Sequence, residues 1–204
     1  QDDLATLQAL LDAHPLGTWV LHADDGAGTG GLVANHLPFL LDRSRGPLGT
    51  LVGHVARANP VWRLLAAGRP SVVAFQGPQA YITPGWYPGK QAHGQVVPTW
   101  NYAVAHAHGT AVAVHDRAWL LAMLNRLTDR HEAPQPAPWQ VADAPAGYID
   151  RLLRGIVLAR ASADLRGPAA AEEAANGGGL GLWSTGYGAL TTIQDDGNAA
   201  SSAE

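Results

Sequence analysis

Nine histidines stand in a chain of 204 residues of which only 15% are charged. Imidazole can ligate a metal, relay a proton and change charge near neutral pH, so these residues are where chemistry is sought first. His54 in "TLVGHVARANPVW" (50–62), and His106 and His108 in "QVVPTWNYAVAHAHG" (95–109), lie inside segments that read as strands. His14, His22, His115 and His131 lie near the ends of elements and are expected to be solvated. "HAH" at 106–108 is the single His-x-His; on a strand its two rings share a face and can chelate, but no third ligand is evident. His54 shares a face with Thr50 and Val52 and has Gly53 and Ala56 beside it. Three roles stay open for it: a satisfied core residue, a catalytic base, or an iron ligand. A neutral imidazole among small residues can reach a bulky planar metal cofactor, and a single proximal histidine commonly holds haem iron.

Strand alternation places Trp100, Tyr102, Val104, His106 and His108 on one face and Thr99, Asn101 and Ala103 on the other. The second face is small and polar, which suits a flat ligand lying close to the backbone. Lys90 and Tyr87 sit in an aromatic loop, "GWYPGKQAHG" (85–94), where a lysine serves as a base or an anion anchor. There is no HExxH, GxSxG or Walker motif. "GGGLG" (177–181) lacks the flanking strand, Lys and Ser/Thr of a phosphate loop. With no cysteine, disulfides, zinc thiolates, iron–sulfur clusters and thiolate haem ligation are excluded.

The elements that must hold these residues are short. "DLATLQALLDAHP" carries Leu4, Leu7, Leu10 and Leu11 on one helical face and ends at Pro15. Strands are expected at 17–23, 32–42, 49–56, 71–77, 80–84 and 95–109, with 110–114 as the hairpin partner of the last. "DDGAGTGG" (24–31) and "RSRGP" (43–47) are turns. Asn59-Pro60 opens a short helix that Gly68 stops. Residues 115–132 form a helix capped by Asp116, with a stripe of Trp119, Leu120, Met123, Leu124 and Leu127. After a Pro-rich loop (134–138) come a second helix around "GYIDRLLRG" and a last strand, "IVLARA". About seven evenly spaced short strands with interspersed helices predict a mainly β fold with helices (α+β), a β-barrel with helical additions. The domain runs over 1–165, and 166–204 is a low-complexity C-terminal arm.

The net charge is -4 and no basic run exists, so direct nucleic-acid binding is not expected. No apolar stretch reaches the ~20 residues of a membrane span. A cytoplasmic protein acting on small molecules is the expectation.

Five stretches carry a resemblance. "GPLGTLVGHVARANPVWR", "FQGPQAYITPGWYP", "GQVVPTWNYAVAHAHG", "LTDRHE" and W-x-V-x-D-A-P (139–145) resemble the PaiB-type family, described as FMN-binding negative transcriptional regulators. The resemblance covers roughly residues 4–160. It implies an FMN-binding split β-barrel of the flavin-reductase and pyridoxamine-oxidase kind, forming a homodimer whose site is completed at the dimer interface. The same family includes haem-dependent piperazate synthases, which convert N5-hydroxy-L-ornithine to L-piperazic acid for nonribosomal peptide synthesis.

One departure separates the two branches. PaiB-type proteins carry a Lys-rich segment close to "GKWKLSQNR" after the last barrel strand, where this chain has "RGPAAAEEAANGG". An FMN phosphate needs cationic or N–H donors, so losing them favours haem b. The resemblance then implies His54 as the axial iron ligand, Lys90, Tyr87 and His106 as proton-transfer residues, and Arg57 for the carboxylate of an amino-acid substrate. Arg57, Thr99, Trp100 and Asn101 would line the cofactor. The expected function is a haem-dependent N–N bond-forming cyclase. The alternative is an FMN-binding regulator or oxidoreductase in which Arg57, Lys90, Thr99 and Asn101 hold phosphate and isoalloxazine.

Overall fold

The computed structural model describes residues 3–23, 30–66, 68–145, 147–164 and 180–183; for 162–164 and 180–183 it describes the backbone. Residues 24–29 of the predicted turn at 24–31, and the predicted arm at 166–204 apart from 180–183, lie outside the described residues.

Helix α1 (Leu4–Ala13) begins at Asp3, whose carboxylate accepts from the Thr6 backbone N–H at 2.9 Å. It buries Leu7 and Leu11. Strands β1 (Leu16–His22), β2 (Leu32–Pro38), β3 (Leu40–Asp42) and β4 (Thr50–Ala56) follow. After β4, the Asn59 side chain accepts from Val61 N–H and Pro60 starts a 3-10 turn that buries Val61 and Leu65. Gly68 ends it at φ +73°. Then come β5 (Arg69–Ile82), a 3-10 turn at Pro84–Trp86, α2 (Gly89–Ala92), β6 (Thr99–Val114), α3 (Arg117–Glu132), α4 (Tyr148–Leu153), β7 (Ile156–Asp164) and β8 (Leu180–Trp183). Asp116 caps α3 as expected, accepting from Trp119 N–H at 2.9 Å. No helix among the described residues is long and apolar enough to cross a membrane.

Every strand pairing is antiparallel, in the order β2-β1-β5-β6-β7-β4-β3, with β8 also on β6. The two ends of that order are one piece of chain: β2 passes into β3 through the single residue Phe39. The sheet is therefore a barrel. An outward-facing row runs Val114, Leu158, His54 across β6, β7 and β4. It continues through Pro38 and Leu16 to Gln76 and back to β6 at Val104, ten residues from its start. Closure with such a stagger is what a tilted-strand barrel requires. β2 and β4 lie side by side beyond Phe39 without a ladder, leaving a seam.

Phe39 is 4% exposed and meets Phe75 edge-on at 5.9 Å. Two glycines make its space. A Cβ on Gly53 would stand 3.1 Å from the Phe39 ring, and one on Gly17 would stand 2.5 Å from Val73 Cγ1 and 2.9 Å from Phe75 Cε1. Trp19, Leu21, Leu51, Val55, Val73, Phe75 and Val157 complete the inner core. A second cluster, outside the barrel, packs Leu120 and Met123 of α3 and Leu153 of α4 on Leu40, Val52 and Leu158.

Three expectations are corrected. Segments 71–77 and 80–84 are one strand: Gln76 pairs with Val104 but Gln79 with Tyr102, so Gly77-Pro78 is a bulge and not a turn. A Cβ on Gly77 would lie 2.7 Å from Leu10 Cδ1 of α1 and 3.3 Å from Ala103 Cβ, so α1 packs close against the bulge. Segment 110–114 is not a hairpin partner; β6 runs through Gly109, passing from the β5 ladder to the β7 ladder. And 85–94 is not a bare loop but holds the Pro84–Trp86 turn and α2.

Gly17→Ala is expected to cost about 1–3 kcal/mol through overpacking, and Phe39→Ala about 3–5 kcal/mol through the cavity it leaves. Urea unfolding checks both; a loss below about 0.5 kcal/mol in either would show that the closure does not depend on this contact.

Candidate functional site: a histidine-rimmed face of the barrel

Helices α3 and α4 cover the outer side of β3, β4 and β7. No described helix packs on the outer side of β2, β1, β5 and the first half of β6. Register assigns the rows there. One runs His36, Thr18, Ala74, His106, and β8 sets Gly181 opposite His106. The next runs Ala34, Val20, Val72, His108, with Asp164 opposite His108. Small side chains form a floor between histidines on both rims. His36 and His106 stand three strand spacings apart, about 14 Å between backbones. β1, β2 and β6 carry no Lys, Arg, Asp or Glu, and β5 carries only Arg69, whose Nε donates to Leu64 O at 3.1 Å. Past the bulge, Gln79 and Tyr81 join Tyr102 and Trp100 on the same side; the Tyr81 and Trp100 rings are 6.1 Å apart and both residues are half exposed. Leu16 and Leu32, also exposed, lie on this side as well.

Burial favours the neutral form of three of these imidazoles. Burial lowers the proton affinity of His54, His106 and His108 below the ordinary 6.5; for His106 the neighbouring His108 adds to that effect. His54 stands at the seam, between Leu158 on one flank and the Pro38 level of β2 on the other. Its Nδ1 is buried with no hydrogen-bond partner among the described residues. Trp19 Nε1 and Asn35 Nδ2, cross-strand partners on the inner side of the same seam, are likewise unpartnered. Asn59 spans the seam, donating to Asn35 Oδ1 at 2.6 Å.

The structure brings His54, His106 and Trp100 to the outer face and scatters the other candidates. Thr99 and Asn101 point to the opposite side, which leads through Ala103 into the core, so the predicted flat-ligand surface there continues inward beneath α1. Trp100 Nε1 donates to Gln79 Oε1 at 3.0 Å. Tyr87 is half-buried at the end of the 3-10 turn, and Lys90 projects from α2, exposed and in no ion pair among the described residues. Arg57 lies past the end of β4. Its Nε and Nη2 donate to Arg154 O (2.8 Å) and Ile156 O (3.3 Å), and its guanidinium stacks on Trp62. Sequence reasoning missed His36, although its alternation with Ala34 and Leu32 was there to read. The seam pair Asn35 and Asn59, 24 residues apart, had no local signal.

A sign follows for pH. Groups whose proton affinity is lowered by folding leave stability intact above the unfolded value and lose it as pH falls below 6.5. Asp3 and Asp42 are held below 3.8 by hydrogen bonds, chiefly from Thr6 and Ser44, and act only in stronger acid. Unfolding free energy is therefore expected to fall as pH drops below 6.5, and a His54→Gln/His106→Gln/His108→Gln variant to flatten that slope; an unchanged slope would mean that these rings titrate alike in the folded and unfolded chain.

Comparison with known proteins places this architecture. The chain is 36% identical over 107 residues to the uncharacterized protein YKL070W of Saccharomyces cerevisiae, covering 52% of this chain and 63% of that one. It is 31% identical over 125 residues to the protease synthase and sporulation protein PAI 2 of Bacillus subtilis, covering 61% and 57%. The chain thus spans less than two thirds of the length of either relative. A FAD and haem binding protein from Mycobacterium smegmatis shares the fold, with a TM-score of 0.53 at 22% identity over 90% of this chain and 82% of that one. Residues 1–163 match the family model described as "Putative FMN-binding domain". The chain belongs to this FMN-binding domain family, whose split-barrel architecture it has.

Proposed function

We propose that the protein binds a flavin on the uncovered face and serves as a redox protein or a flavin-responsive regulator. One observation carries this reading: a face whose strands β1, β2 and β6 carry no charged residue, floored by Thr18, Ala34, Val20, Val72 and Ala74, between His36 on one rim and His106 and His108, whose neutral forms burial favours, on the other. A flat heteroaromatic ring needs apolar contact and a few convergent donors and acceptors, and each neutral imidazole offers one of each. When bound, a flavin supplies one- or two-electron transfer. The chain's own part is to orient the ring, exclude water from one side and hold protons at His106 and His108. The anionic tail is left to Lys90 and to the part of Arg57 that its two backbone carbonyls do not occupy. The same face supports a homodimer. It exposes Leu16, Leu32, Tyr81 and Trp100 and presents no like charges to a second copy.

Purified protein is expected to show the two visible flavin bands and to release FMN on denaturation; protein that neither carries FMN nor takes it up would overturn the reading. Ala74→Trp, which fills the floor, should weaken FMN by about tenfold or more, about 1.4 kcal/mol, in a fluorescence titration. Thr18→Asp, placing a charge in the isologous contact, should reduce the mass in light scattering from two chains to one.

A second reading rests on a different atom. The buried, unpartnered Nδ1 and neutral ring of His54 fit an axial ligand to haem b. The Mycobacterium smegmatis protein with this fold is named for FAD and haem together. Haem would supply Lewis-acid or redox chemistry at iron. The reaction carried over from the piperazate synthases converts N5-hydroxy-L-ornithine to L-piperazic acid: the N–N bond forms, the N–O bond breaks and water leaves. Lys90, Tyr87 or His106 would manage the protons and Arg57 the carboxylate. A Soret band in place of flavin bands, lost in His54→Ala with the circular dichroism unchanged, decides for this reading. A Soret band that survives His54→Ala decides against His54 as the ligand.

A further inference from the structure

His106 and His108 are two residues apart on β6, so both side chains leave the same side of the sheet. Their ring centroids are 6.2 Å apart at an interplanar angle of 68°. Modest side-chain rotations bring a nitrogen of each to the ~2.1 Å that a zinc–imidazole bond requires. Neither ring must give up a proton to ligate at neutral pH, since burial already favours the neutral forms. The ladders set Ala74 and Gly181 opposite His106. They set Val72 and Asp164 opposite His108. Among the described side chains no third histidine or acid completes a cluster, so the pair is a two-point chelate with positions left for water or an added ligand.

We infer that His106 and His108 form a bidentate site for a late first-row divalent cation, with zinc the physiological candidate and copper the tighter binder. The site needs neither flavin nor haem, so it goes beyond both cofactor readings. A metal held there would stand at the rim of the small-residue floor, placing a Lewis acid and its exchangeable water beside any ligand on that face.

The test uses the untagged full chain, with any chromophore it carries left in place and loose metal removed by a chelator. Calorimetric titration with Zn2+ is expected to show one site per chain. Titration with Cu2+ is expected to give an electron paramagnetic resonance spectrum with nitrogen coupling from two imidazoles. His106→Ala and His108→Ala should each weaken Zn2+ by about tenfold or more, while His14→Ala, at the end of α1, should not. Circular dichroism confirms that the variants are folded. Absence of stoichiometric uptake, unchanged affinity in the His106→Ala/His108→Ala double variant, or coupling from fewer than two imidazoles would each overturn the assignment.

Discussion

The closure of the sheet at Phe39 is the constraint on which the rest depends. One aromatic residue links the strand that pairs with β1 to the strand that pairs with β4, and its ring fills the interior where the two ladders meet. That placement is paid for by Gly17 and Gly53, whose missing side chains are the room the two phenyl rings use. Phe39 also donates its backbone N–H to Pro15 O at 2.8 Å, fixing the link to the start of β1. Without this closure β2 and β4 would not flank a seam, and His54 would not stand at its edge.

The barrel then divides its outer surface into two environments. On the β3–β4–β7 side, α3 and α4 bury Leu40, Val52 and Leu158, and arginines cluster around them: Arg45 and Arg126 share Asp42, and Arg45 and Arg160 stack on Trp119. On the β2–β1–β5–β6 side there are histidines, small residues and exposed aromatics. Charge is concentrated where the protein packs on itself and is sparse on the strands of the uncovered side. The Asp12 bridges to Arg43 and Arg130 belong to the first group, tying α1 to α3.

How much of this the sequence disclosed depends on the range of the interaction. The strand alternation of 100–108, the Asn59 and Asp116 caps and the α3 stripe are local patterns, and all three recur in the structure. Gly77-Pro78 carried the letters of a turn but folds as a bulge, because the ladder to β6, which those two letters do not encode, continues on both sides of it. Gly109 read as a break, yet it lies where β6 changes partners, a property of β5 and β7 and not of β6 alone. For the site, the residue types were legible but their grouping was not. His54 comes beside β2, the strand of His36, only through closure, and Arg57 turned out to hold backbone carbonyls of the β7 approach.

The stagger of ten residues around the ring also limits how this domain can change. Because the number is even, a row of outward residues rejoins outward residues when it returns to β6; an odd number would set an outward side chain beside an inward one. One residue inserted within β4 would exchange the roles of Gly53 and His54, pushing an imidazole toward the Phe39 ring and a glycine onto the surface. Length variation is therefore confined to the connections between strands or to extra residues extruded from a ladder, as at Gly77-Pro78. Relatives that keep the barrel can gain or lose whole connecting segments freely, but inside the strands they can differ in residue type and hardly at all in residue number.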